Sequence, residues 1–118
     1  MENIVAVKSY QFALRIIKLY KWLCAEKNEF VLSKQVLRSG TAIGALIREA
    51  EHAQSKPDFL NKMNISLKEA NETGYWLMLL KDSEYISISD YNSIHTDCSE
   101  LIRLLASIVK TTKKQLNN

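Results

Sequence analysis

The chain has 118 residues, 47% of them apolar and 25% charged, with three Gly and one Pro. That is one domain of globular sequence, able to bury a core without metals or disulfides, and so few breakers exclude the many turns of a β-fold. The net charge of +3 is too small to indicate nucleic acid by itself, but it is placed unevenly. Lys8, Arg15, Lys18 and Lys21 face only Glu2 in the first 25 residues, and residues 101–118 carry Arg103, Lys110, Lys113 and Lys114 with no acid.

Read at about 100° per residue, the apolar periodicity predicts four helices with short breaks. The first runs over about 9–25. Phe12, Ala13, Ile16, Ile17, Leu19, Tyr20, Leu23 and Cys24 cover about half its wheel. This is wider than a surface helix needs, and Leu14 and Trp22 fall among the charges, so a second buried surface is expected. The second helix, about 30–54, has the core stripe Leu32, Val36, Ile43, Ile47 and Ala50. The small residues Ser39, Gly40, Ala42, Gly44 and Ala45 predict a close neighbour, since Gly in mid-helix costs about 1 kcal/mol against Ala.

The third helix, about 56–81, has the clearest start, with Ser55 as N-cap, Pro57 in the first turn and Asp58 near the positive end. Its expected core is Leu60, Met63, Leu67, Ala70, Gly74, Leu77 and Met78. A second apolar line, Ile65, Trp76, Leu79 and Leu80, would be left wet in a lone bundle and is predicted to be an interface. The fourth helix, about 89–115, is capped by Ser87 or Ser89. Its core stripe is Tyr91, Ile94, Cys98, Leu101, Ile102, Leu105, Ile108 and Val109.

The expected fold is therefore a single all-α domain over 1–118, an antiparallel up-and-down four-helix bundle that assembles as a homo-oligomer. In that topology the start of the first helix lies at the same end as the finish of the fourth. Lys8, Arg15 and Lys18 would then join Lys110, Lys113 and Lys114 in one basic end, a candidate nucleic-acid surface. Met1–Tyr10 lacks an apolar signal core and no apolar run is of membrane-spanning length. A cytoplasmic protein with no membrane partner is expected.

No catalytic constellation is visible. Glu49 and His52 have the Glu-x-x-His spacing of di-iron bundles, but Asn92 stands where His95 would need its acid, so the second motif is missing. The two histidines lie on different helices and no nucleophile can be matched to a base. There is no Gly-rich phosphate loop. Cys24 and Cys98 belong to no CxxC pair and read as reduced thiols in or near the core. The chain is expected to be no enzyme and to need no cofactor or metal. Trp22 and Trp76, on polar faces, are expected at subunit contacts with Ile65 and Leu79, since large aromatics anchor interfaces.

The middle of the chain carries a more specific pattern. Leu32-Ser33-Lys34-Gln35-Val36-Leu37-Arg38-Ser39 is followed by Ile43-Gly44-Ala45 and Ile47-Arg48-Glu49. Ser55 and Asp58-Phe59 come next, then Glu72 and Trp76-Leu77. This resembles the bacterial four-helix-bundle family that includes proteins encoded in intervening sequences of large-subunit ribosomal RNA genes, over nearly the whole chain. Leu46 and Ala50 depart from the usual Asn and Gly of that family, while Gln35, Arg38, Ser39 and Glu49 are kept.

The resemblance implies an up-and-down bundle in a ring-like homopentamer. It also implies kinship with accessory variability determinants of diversity-generating retroelements, which are basic rings that bind a reverse transcriptase and nucleic acid. Nucleic acid, or a protein that processes it, is thus the expected partner besides the chain itself. The alternative is an oligomeric scaffold for other proteins. Arg38 is predicted to pair with an acid such as Glu72 across a subunit boundary.

Overall fold

Asn3 starts the first helix: its side chain accepts hydrogen bonds from the amides of Val5 and Ala6 at 3.1 and 3.4 Å. The computed structural model describes residues 3–118; Glu2, counted above among the charges, lies outside them. Four helices follow, α1 over Ile4–Lys27, α2 over Leu32–Glu51, α3 over Lys56–Asp82 and α4 over Ile88–Leu116. Each packs against its neighbours in sequence, and α1 also meets α4, which closes an antiparallel bundle with principal extents of 50 × 25 × 21 Å. No strand occurs among the described residues.

The helix ends have local causes. α1 begins five residues before the expected Ser9 because Asn3 satisfies its first free amides, and it stops where Asn28 turns left-handed at φ 51°. α2 begins at Leu32 instead of about residue 30. The Glu29 carboxylate accepts from the amides of Val31, Leu32 and Ser33 and does the work of an N-cap from three residues upstream of the helix. Phe30 and Val31 stay outside, 51% and 71% exposed. α2 also ends earlier than expected, at Glu51, because Ser55 is needed as the cap of α3 through its bond from the Asp58 amide. Ser87 caps α4 in the same way, through Asp90.

The core holds Phe12, Ile16 and Leu23 of α1, Val36, Ile43 and Ile47 of α2, Met63, Ala70, Leu77 and Leu80 of α3, and Cys98, Leu101 and Leu105 of α4. Two corrections fall on α3. Leu80, expected on the outer line, is fully buried, and Met78, expected in the core, is 43% exposed. The true inner face runs Met63, Ser66, Ala70, Thr73, Leu77, Leu80. It includes two hydroxyl residues because their hydroxyls find acceptors on α2 and in α3 itself.

Gly40 brings α1 against α2. A Cβ there would stand 2.8 Å from Cγ1 of Ile16, and at Gly44 it would meet Oγ of Ser9 at 3.2 Å. The small residues of α2 are thus explained by α1 on one side and α3 on the other. At the far end, Ile86 of the α3–α4 connection is buried and joins the core.

Candidate functional site

Three groupings of polar side chains are candidates. The first joins α2 to α3. Residues 69, 72, 73 and 76 repeat at helical spacing on one face of α3, and Arg38 of α2 reaches across to them. Its guanidinium binds Glu69 at 3.2 Å and also binds Glu72. The Glu72 carboxylate accepts a second hydrogen bond, 2.9 Å long, from the indole N–H of Trp76. Beneath them the Thr73 hydroxyl lies 2.9 Å from that of buried Ser39, and two turns back Ser66 donates to the Ile43 carbonyl. The acids lie deeper than the arginine that covers them: 14% and 29% exposed side chains against 51%.

Arg38 and Glu72 therefore pair as expected, but within one chain and not across a subunit boundary. Each is satisfied locally, and the hydroxyls beneath them are buried and hydrogen-bonded. Their arrangement holds two helices together. Trp76, expected as an interface anchor, is half-buried against the core and tied to Glu72. Ile65 and Leu79 are half-buried on the same helix. Gln35 is exposed, and Glu49 lies 3.8 Å from Lys62.

The second grouping is the basic set, and the structure divides it. Lys8 pairs with Glu100 at 3.1 Å. Arg15 binds Asp97 at 2.6 Å and the backbone and side chain of Ser93 at 3.3 and 3.0 Å. A step of seven along α1 is matched by a step of seven back along α4, so Lys110 lies beyond the start of α1. Lys18 shares a groove with Asp90, about 30 Å along the bundle from Lys110 at 1.5 Å per residue. The predicted single basic end is thus corrected. Lys8 and Arg15 are engaged with acids of α4, Lys18 is remote, and Lys110, Lys113 and Lys114 remain exposed at the other end.

With Arg103 these three lysines form the basic surface the molecule does present. Arg103, Lys110 and Lys114 lie at i, i+7 and i+11 and share one face of α4, over about 17 Å; Lys113 flanks them. All four are exposed, and none makes an ion pair with a described acid.

The third grouping is an open groove where α1 ends and α4 begins. Two connected hollows of about 740 and 420 Å³ share Trp22, Ile86 and Asp90. Trp22 is 38% exposed, and the Lys27 ammonium lies 5.4 Å from its ring centre. The charges around it are mixed, with Arg15, Lys18, Lys27 and Lys81 against Asp82, Glu84 and Asp90, so the groove offers no field of one sign.

The remaining reactive groups are held in structure. Burial pushes the Cys98 thiol up to about 12, and it donates to the Ala70 carbonyl at 3.4 Å. The adjacent Cys24 thiol raises the Tyr20 phenol above its ordinary value. His95 stacks on Tyr91 with ring centres 4.9 Å apart, and His52 ends α2. Among the described residues no three His, Cys, Asp or Glu gather to hold a metal, and no described helix is long and apolar enough to cross a membrane.

Sequence reasoning missed two sets of residues. Asp97 and Glu100 repeat at helical spacing on α4, and that signal could have shown where Lys8 and Arg15 go. Ile4 and Val7 fall before the expected start of α1 at Ser9; Asn3, a strong capping residue, is the available sign of the earlier start.

The molecule is thus an all-α, four-helix bundle whose polar chemistry is spent largely on joining its own helices. The chain belongs to the 23S rRNA-intervening sequence protein family, whose profile matches residues 1–107; Lys110, Lys113 and Lys114 lie past the matched segment. It is also similar to a crystal structure from Bacteroides thetaiotaomicron, described as a protein of unknown function from the S23 ribosomal protein family. The two are 61% identical, over 90% of this chain and 98% of that one, with a TM-score of 0.89. None of the curated proteins matches the chain.

Proposed function

We propose that the protein is a non-enzymatic, homo-oligomeric accessory protein that binds nucleic acid through the outer face of α4. One observation carries this reading. Past Glu100 the helix has no acid, and Arg103, Lys110, Lys113 and Lys114 stand exposed without a described ion-pair partner. Lysines placed this way release condensed counterions when they meet phosphates. Copies held in one assembly would present several such stripes together, and weak sites that engage jointly gain avidity. The family name refers to an rRNA intervening sequence, which makes a structured RNA the first ligand to try.

The test is binding of a fluorescently labelled structured RNA and a matched DNA duplex across a salt series, with sedimentation to give the assembly mass. Up to four phosphate contacts per docked stripe predict a slope of log affinity on log salt of about −3 to −4. Changing Lys110, Lys113 and Lys114 together to Glu abolishes binding, and Lys18→Glu leaves it intact. No binding near physiological salt would overturn the nucleic-acid reading. The second reading, a scaffold for other proteins, is favoured by the apolar residues exposed on α1. It predicts partner capture that hardly changes with salt.

A further inference from the structure

The ion pairs that tie α1 to α4 stop partway along the seam. Lys8 meets Glu100 and Arg15 meets Asp97. The next rung would be Lys18 with Asp90. These two line the groove together, yet neither makes an ion pair with a described residue. From there to the end of α1 the seam is open over Leu19, Ile86 and Ile94. An exposed apolar side chain stands on each lip, Trp22 of α1 and Ile88 of α4.

The two lips differ in charge. The α1 lip carries Lys18 and Lys27, and the opposite lip carries Asp82, Glu84 and Asp90. Lys81 also lies on that second lip, but it is drawn to Asp82 and to the Tyr91 ring. Glu84 stands where a side chain is disfavoured. It turns left-handed at φ 67° just past the end of α3, where Gly is the usual residue because it has no Cβ. Its amide and those of Tyr85 and Ile86 return to carbonyls of the last turn of α3. The acidic lip is thus fixed in advance, which keeps the ordering cost of binding small.

We infer that this half of the seam receives an amphipathic helix of another protein. Its apolar stripe lies on the floor, with acids along the flank over α1 and bases along the flank over the α3–α4 connection. A helix suits the site because α1 pairs its own amides and carbonyls along this stretch. An incoming strand would find no backbone to join there, whereas a helix brings its own pairs. The stretch from Lys18 to Lys27 is about 14 Å long, or two to three helical turns. A second copy does not supply such a helix from its exposed apolar row. That row is Ile4, Val7, Tyr10 and Leu14 of α1, and α1 has no acid before Glu26, so it would set base against base at Lys18 and Lys27. The groove is about 30 Å from Lys110, so this inference and the nucleic-acid reading rest on different residues and either can fail alone.

Fluorescence anisotropy with three labelled peptides of about 14 residues, long enough to cross the open stretch as a helix, tests this on the full chain. All carry the same Leu stripe. One has Glu on one flank and Lys on the other, one has Glu on both, and one has Lys on both. The mixed peptide should bind about tenfold more tightly than either uniform one. Trp22→Ala should lose that binding with the helical circular dichroism unchanged. Changing Glu84 and Asp90 together to Lys makes both lips basic, and the preference should pass to the peptide with Glu on both flanks. Such an exchange of preference cannot come from misfolding. Equal binding of the three peptides, binding indifferent to Trp22→Ala, a preference that stays with the mixed peptide, or no binding at about 1 mM overturns the inference. So does sedimentation in which Trp22→Ala lowers the mass of a native assembly, because a second copy then fills the groove.

Discussion

Along α2 and α3 the helices meet at the level of their backbones, through Ser39, Ser66 and Thr73, with Arg38, Glu69, Glu72 and Trp76 closing the edge. Along α1 and α4 they meet through the tips of long side chains, Lys8 to Glu100 and Arg15 to Asp97, above an open groove. Both junctions are polar, yet they differ in what water can do. Buried hydroxyls keep their full strength because no solvent competes, and losing a partner leaves the other stranded. Ion pairs with side chains about 40% exposed trade one set of solvated contacts for another and gain little. Polar residues at a helix junction therefore say nothing about its strength until their depth is known.

The comparison is most easily broken at Ser39. Its side chain is fully buried against Thr73, so Ser39→Leu overpacks the junction and costs about 3 kcal/mol, read from urea denaturation. If that variant is as stable as the parent, the α2–α3 contact is looser than described.

The α3–α4 junction supplies a pH-dependent case. Cys98 stays protonated when folded because burial raises it from 9.0 to about 12, whereas the unfolded chain releases that proton earlier. Its contribution to stability is intact below about pH 9. It is lost as pH rises from there towards 12, by about 1.4 kcal/mol per pH unit. Cys98→Ala should flatten this slope in a series of denaturant titrations.

A milder change sharpens the comparison. Thr73→Val keeps the shape but removes the hydroxyl beside Ser39, with an expected loss of about 1 kcal/mol that 1 M NaCl does not alter. Arg15→Ala, Asp97→Ala and the double variant should show a coupling of about 0.5 kcal/mol in dilute buffer, fading at 1 M NaCl. A salt-resistant coupling above about 2 kcal/mol would mean that the α1–α4 pair behaves as a buried one.

Much of the fold was legible because four amphipathic periods and few breakers admit few other solutions. Ser55, Pro57 and Asp58 marked one helix start to the residue. The errors have identifiable physics. On α3 an apolar-only reading rotated the inner face, since it could not know that Ser66 and Thr73 would find acceptors inside. On α2 the start was set by Glu29, a carboxylate three positions before the helix, where a cap is not usually sought. For the candidate site the exposure of the α4 lysines was legible, but adding Lys8 and Arg15 ignored the acids on the facing helix. Charge segregation along a sequence becomes a patch only where the fold leaves it unanswered. The Arg38–Glu72 pair was foreseeable as chemistry; that it lies inside one chain follows from the register of α2 on α3, which periodicity does not supply.

The Glu29 corner bears on the order in which the chain assembles. Its hydrogen bonds join residues no more than four apart, so they form with almost no loop-closure entropy. The pairs between α1 and α4, Arg15 with Ser93 and Asp97 and Lys8 with Glu100, join residues at least 78 positions apart and must wait for the rest. A nucleus at the α1–α2 corner, with the α1–α4 seam closing last, is the expected pathway. Glu29→Gln should then slow refolding, while Asp97→Ala should mainly hasten unfolding in stopped-flow traces. In a chain growing from a ribosome, the first two helices can thus pair and persist before α4 exists, leaving one long side of the nascent hairpin uncovered until the last helix is made.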